Sequence, residues 1–82
     1  MSTVRMTLYS RPGCHLCEEM REVAVAVARE AGVVFEEMDV DADPALAVRY
    51  DLEVPVLCLD GVKAFSIRVT AERLRARLRD GA

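Results

Sequence analysis

The first half of the chain switches from strand-like to helix-like hydrophobic spacing and back again, and that switch leaves few ways to fold it. Residues 4–9 alternate in part, with Val4, Met6 and Leu8 on one side, as a strand with one covered face does. Leu16, Met20, Val23, Val27 and Ala31 then recur at helical spacing. They predict a helix from Cys14 to about Ala31 with that stripe turned inward. Gly32 stands where a helix stop belongs, just past the last helical residue. Residues 33–40 read as a second strand, which leaves through Asp39-Val40-Asp41. Two sequential strands joined by a crossover helix should be parallel, and the crossover right-handed.

The second half is punctuated by turn and cap chemistry. Asp43-Pro44 is a helix start, with Asp as N-cap and Pro at the first helical position. The short helix runs to about Tyr50, with Leu46, Ala47 and Tyr50 facing inward. Residues 51–53 form a loop, and residues 54–59 a third strand. Asp60-Gly61 is a two-residue hairpin turn of type I′ character. Residues 62–67 are the fourth strand. Thr70 caps a last helix whose buried stripe is Ala71, Leu74 and Leu78. The expected order is β-α-β-α-β-β-α. The fold class is α/β, with a four-stranded mixed sheet, its last two strands antiparallel and its helices covering both faces.

Eighty-two residues suit one small domain spanning residues 1–82. With 52% hydrophobic residues the chain has ample material for a core, and its net charge of −3 carries no nucleic-acid footprint. No segment approaches the length of a membrane span, and Met1-Ser2-Thr3-Val4-Arg5 opens no signal-peptide-like run. The expected location is cytoplasmic, where structural disulfides are rare. Three cysteines, an odd number, fit a redox pair plus a spare better than a disulfide framework.

Cys14-His15-Leu16-Cys17 places two thiols at the junction of the first strand and the first helix, after the turn-like Ser10-Arg11-Pro12-Gly13. A helix N-terminus presents free N–H groups and positive dipole to the first sulfur. That favours thiolate, the nucleophilic form. The second sulfur lies one turn on, close enough to close a disulfide. The competing reading is a pair of buried structural thiols or half of a zinc site. A closed zinc site needs four ligands, and only His15 and Cys58 remain to complete it. His15 sits inside the motif and Cys58 on an expected buried strand, so no metal site is expected.

The chain resembles the glutaredoxin-like branch of the thioredoxin superfamily, and looks closest to the small bacterial glutaredoxin-like proteins. The pieces that carry the resemblance are residues 8–17 (Leu-Tyr-Ser-Arg-Pro-Gly-Cys-His-Leu-Cys), Asp39-Val40-Asp41, Val54-Pro55-Val56-Leu57 and Leu59-Asp60-Gly61. The resemblance implies a thioredoxin-like fold and a dithiol-disulfide oxidoreductase. It implies Cys14 as nucleophile and Cys17 as the resolving thiol. It implies a cis Pro55 facing the disulfide, with the backbone N–H and C=O of Val54 offered to the substrate. It makes Arg11, three residues before the first cysteine, a contact for a glutathione carboxylate. The chain departs from the family in two places. Glutaredoxins usually carry Pro-Tyr where His15-Leu16 stands, and Gly-Gly followed by an acidic residue where residues 65–70 read Phe-Ser-Ile-Arg-Val-Thr.

Several residues keep two readings. A protonated His15 beside Cys14 would stabilise its thiolate, or His15 is an exposed residue of the first helical turn. Arg11 is an electrostatic partner of Cys14 and of an incoming carboxylate, or an ordinary loop residue. Tyr9 flanks the active site or packs. Cys58 reads as a small buried hydrophobe, and Met6, Met20 and Met38 as core. Asp39, Asp41 and Asp43 read as caps and turns. The expected partners are a disulfide-containing protein or a glutathione mixed disulfide, with glutathione or a thioredoxin-reductase-type donor supplying electrons. No bound cofactor is expected, though glutathione would serve as co-substrate, and the protein is expected to be a monomer. A non-enzymatic metal or iron–sulfur carrier using the same thiols is the alternative.

Overall fold

A computed structural model describes residues 4–50 and 52–80. The elements run β1 (Arg5–Ser10), α1 (His15–Ala31), β2 (Val34–Asp39), a 3-10 turn (Val40–Ala42), α2 (Pro44–Tyr50), β3 (Val56–Leu59), β4 (Val62–Ser66) and α3 (Ala71–Arg79). This is the expected order. The sheet order is β2-β1-β3-β4, with β1 parallel to β2 and antiparallel to β3, and β3 antiparallel to β4.

Local chemistry sets the ends of the elements. Gly32, at φ 71, ends α1, and its N–H and that of Val33 both return to the Ala28 carbonyl. A left-handed residue at this point satisfies helix carbonyls that would otherwise face nothing. The Asp43 carboxylate accepts from Ala45 N–H at 2.9 Å, and the Thr70 hydroxyl accepts from Arg73 N–H at 3.1 Å. Both act as the caps expected of them. Asp60 and Gly61 have φ of 52 and 82, the pair of positive values that a type I′ turn requires.

The alternation of β1 and β3 divides the core in two. Met6 and Leu8 pair with Leu59 and Leu57 and face α1 and α3, joining Met20, Ala24, Val27, Ala28 and Leu74. Tyr9 pairs with Val56, and Thr7 with Cys58, on the opposite face. There Val40, Tyr50, Val56 and Cys58 form a smaller cluster with Tyr9, Leu46 and Val54 against it. Helices thus cover both faces. Tyr9 packs on Tyr50, with ring centroids 4.8 Å apart.

The structure corrects some boundaries and burials. The first strand runs one residue later than expected. Val40 belongs to the 3-10 turn, where it is buried, and Val54 and Pro55 precede β3. Ile67 lies beyond β4 because its φ of 69 takes it out of extended geometry. Cys14 is the N-cap of α1 rather than a helical residue. The helix turns Cys17, Met20, Ala24, Val27 and Ala28 inward, while Leu16 and Val23 lie half-buried on its flank and Ala31 is exposed in the last turn. In α3 only Leu74 is fully buried; Ala71 and Leu78 pack half-buried against the core. Met38 is not core: it is 43% exposed. Its strand lies at the sheet edge, and the turn and α2 cover Tyr9, Val56 and Cys58 instead. Of the expected loop at 51–53, Asp51 lies outside the described residues; Glu53 donates its N–H to the Tyr50 carbonyl and its carboxylate pairs with Lys63. Among the described residues no helix is long and apolar enough to cross a membrane.

Candidate active site

β1 ends, and α1 begins, at the centre of the sheet. From there the chain crosses to β2 on one side, while β3 lies on the other. Clefts in open α/β sheets form at such a switch of direction. Cys14 sits in this position. Gly13, at φ 74, closes the turn that brings Cys14 N–H to the Arg11 carbonyl at 3.3 Å. The Cys14 backbone is extended, as an N-cap requires. Its sulfur accepts a hydrogen bond of 3.2 Å from Cys17 N–H, and its carbonyl accepts from Glu18 N–H at 3.1 Å. The thiol therefore occupies the place usually taken by a serine or aspartate cap oxygen. A negative charge there is stabilised by the amide and by the helix dipole.

The two sulfurs live in different surroundings. Cys14 is half-buried; Cys17 is 1% exposed, under α1. Burial, and next the hydrogen bond with Cys14, push the Cys17 thiol up to about 11 from an ordinary 9.0, against the opposing pull of the Arg11 backbone and the Arg21 charge. Cys17 is therefore a neutral thiol at neutral pH.

Sequence reasoning missed a polar chain beside this pair. The Ser10 hydroxyl, itself buried, donates to Glu37 at 2.6 Å, and Arg21 Nε donates to the same carboxylate at 2.8 Å. The Arg21 guanidinium, and then the Ser10 hydroxyl, hold the Glu37 carboxyl below the usual range although partial burial works the other way. Arg21 follows Cys17 by one helical turn, so this chain fixes a positive charge near the buried thiol. Three elements meet here, and the only sequence sign was the four-residue spacing of Cys17 and Arg21. A cleft of about 410 Å³ is lined by Ser10, Arg11, Cys14, Glu18, Arg21 and Glu37, among others.

Arg11 lies in that cleft, and its Nε donates to both oxygens of Asp41, at 3.2 and 3.0 Å. Its carbonyl also serves the turn before Cys14. The Asp39 carboxylate accepts from Asp41 N–H at 2.8 Å, so the acidic run does the capping and turn work expected of it. His15 is exposed at the first position of α1.

The Val54–Pro55 bond is cis, and Pro55 is buried. The Val54 N–H, expected to be free, is already engaged: it donates to the Tyr50 carbonyl at 3.2 Å, which closes the end of α2; the Val54 carbonyl accepts no hydrogen bond among the described residues. The Pro55 carbonyl accepts from Ile67 N–H at 2.8 Å. Among the described residues, no three His, Cys, Asp or Glu side chains stand close enough to hold a metal ion. Cys58 is buried on the other face of the sheet, where desolvation pushes its thiol up and a hydrogen bond with Tyr50 opposes that rise.

The sequence profile of the glutaredoxin-like domain family (DUF836) matches residues 5–79. This chain belongs to that glutaredoxin-like family. The X-ray structure of target protein XcR50 from X. campestris is similar, with 43% identity and a TM-score of 0.75 over 94% of this chain and 97% of that one. Protein Ne2328 from Nitrosomonas europaea superposes at a TM-score of 0.77 with 24% identity, over 94% of this chain and 93% of its own. Oxidised mitochondrial thioredoxin 3 from Saccharomyces cerevisiae matches at a TM-score of 0.72 with 20% identity, covering 98% of this chain and 80% of that one. The glutaredoxin-like chain thus has the thioredoxin fold. No curated protein matches it.

Proposed function

We propose that this glutaredoxin-like protein is a dithiol-disulfide oxidoreductase, with Cys14 as nucleophile and Cys17 as resolving thiol. The observation that supports it most is the hydrogen bond from Cys17 N–H to the Cys14 sulfur at the start of α1. It holds the two sulfur-bearing residues together while leaving one thiol half-exposed and the other buried and neutral.

In the first step the Cys14 thiolate attacks one sulfur of a substrate disulfide. A Cys14–substrate disulfide forms and the other substrate sulfur leaves as thiolate. In the second, Cys17 loses its proton and attacks the Cys14 sulfur. The Cys14–Cys17 disulfide forms, and the second substrate sulfur leaves and takes up a proton. Two electrons pass from the protein to the substrate, a disulfide-bonded protein or a glutathione mixed disulfide. Glutathione or a thioredoxin-reductase-type donor returns them. Arg11 contributes positive charge on the approach to Cys14, and His15, exposed in the first turn of α1, lies on the same approach. Val54, through its carbonyl, and Pro55 orient the substrate.

The test is reduction of a disulfide substrate by wild type and Cys14→Ser in parallel. Turnover in the wild type and its complete loss in Cys14→Ser are expected. An active Cys14→Ser protein would falsify the assignment.

A further inference from the structure

A groove of about 280 Å³ runs along α1 on the side away from the Arg11 cleft. Its walls are Leu16, Met20 and Val23 of α1 and Ile67, Val69 and Arg73 of the β4–α3 segment. Leu16 is the inner residue of the cysteine motif. Ile67 is bonded through its N–H to the carbonyl of Pro55. The groove therefore meets the cysteine motif at Leu16 and the cis-proline segment through Ile67.

Ile67 is held against its own preference. Its φ is 69, and Arg68 N–H donates to the Ser66 carbonyl at 2.7 Å, closing a three-residue turn around it. A β-branched residue avoids positive φ, and turns of this hand are rare and strained. A glycine would adopt the conformation without penalty, and this is the stretch in which glutaredoxins usually carry a glycine pair. The turn places a branched apolar side chain at the groove mouth, 38% exposed. The rim is basic: Arg68 and Arg73 line the groove and make no ion pair among the described residues, whereas Arg5, Arg21, Lys63 and Arg75 each pair with a glutamate. Glu19 is the one acidic residue of the lining. This local charge runs against the net −3 of the chain.

We propose that this groove seats an apolar side chain of a protein substrate whose flanking residues are acidic, and that Ile67, with Arg68 and Arg73, sets that preference. The proposal rests on the oxidoreductase reading above and names its substrate class. Ile67, Leu16 and Val69 supply apolar wall. Arg68 and Arg73 meet carboxylates on either side of the docked residue. The chemistry is unchanged: Cys14 attacks the cysteine sulfur of the docked segment, the segment's former partner leaves as thiolate, and Cys17 then releases the segment as a thiol.

Three short cysteine peptides test this, each joined by a disulfide to 5-thio-2-nitrobenzoate, with pre-reduced full-length protein in excess and release of the chromophore as the readout. One peptide carries leucine near the cysteine and glutamates outside it, one replaces leucine by serine, and one replaces the glutamates by lysines. The leaving group is the same in all three, so differences report docking. The leucine–glutamate peptide should react about tenfold faster than the serine peptide and about fivefold faster than the lysine peptide, the latter ratio falling as salt is raised. The net negative charge alone would favour lysine, so a glutamate preference belongs to the rim. Ile67→Gly should bring the serine ratio towards one while Tm stays within about 5 °C. Arg68→Ser with Arg73→Ser should do the same for the lysine ratio. Val48→Ser, on α2 across the sheet, should change neither. Equal wild-type rates on the three peptides, with Cys14→Ser inert, overturn the groove and leave the oxidoreductase standing. Chromophore release by Cys14→Ser overturns the oxidoreductase itself.

Discussion

The backbone amide of Cys17 points at the sulfur of Cys14, 3.2 Å away, so in the proposed reaction the resolving residue would also help to hold the attacking thiolate. One residue would then act twice, first through its N–H and then through its sulfur. The arrangement predicts an order of reactivity. Iodoacetamide at neutral pH should label Cys14 at least about tenfold faster than Cys17 or Cys58, because it is the most accessible and burial pushes the other two thiols up. Peptide mapping after short exposure reads the order; prior labelling of Cys17 would contradict the roles given to the pair.

Removing the second sulfur should stop the cycle half-way. In Cys17→Ser the Cys14–substrate disulfide has no internal attacker and should accumulate. Intact mass after mixing with a disulfide peptide should show one added peptide per chain, absent in the Cys14→Ser protein.

Arg21 should matter for the second step rather than the first. Its charge, held by Glu37, opposes the rise of the Cys17 thiol. Arg21→Ala should slow release of the trapped substrate about two- to fivefold, the scale of a partly exposed charge interaction. The loss should persist up to about pH 11, because the value of about 11 for Cys17 already includes the pull of Arg21. Stopped-flow rates for attack and release, measured separately, decide this, and an equal loss in both steps would argue against it.

Stability should fall in alkali. Cys17 keeps its proton up to about pH 11 in the folded chain but only to about 9.0 when unfolded. Above pH 9 the native state therefore binds more protons, and the stability this group contributes below pH 9 is lost as pH rises to about 11. Cys58, whose thiol is also pushed up by burial, acts in the same direction. Urea melts of the reduced protein across this window should show the decline, and Cys17→Ala should flatten it.

The last helix is anchored in the core by one fully buried side chain. Leu74 is the only fully buried side chain of α3. Leu74→Ala should cost about 2–5 kcal/mol and loosen the Arg68–Arg73 stretch along with the helix. Denaturant unfolding gives the first number; hydrogen exchange across residues 68–79 gives the second.

Much of this molecule was written in short-range chemistry. Gly32, Asp43-Pro44, Asp60-Gly61 and Thr70 each act on their own neighbours, so the sequence placed them correctly without knowing the fold. The cysteine pair was legible for the same reason: its spacing and the helix after it are local. What escaped depends on who covers whom. Met38 looked like core until β2 took the sheet edge. The Val54 N–H looked free until α2 ended against it. Ser10, Glu37 and Arg21 come from three elements and form a chain only once those elements are packed. Ile67 gave no warning, because isoleucine is among the last residues expected at a positive φ.

A protein that makes and breaks disulfides would ordinarily be endangered by a third thiol, which could capture the wrong partner. Cys58 is kept from that exchange by the sheet itself. β1 and β3 stand as a partition, with the reactive pair under α1 on one side and Cys58 beneath Tyr50 on the other. In the proposed reaction, two-electron traffic would thereby be confined to a single doorway, with the spare sulfur a bystander walled off by backbone.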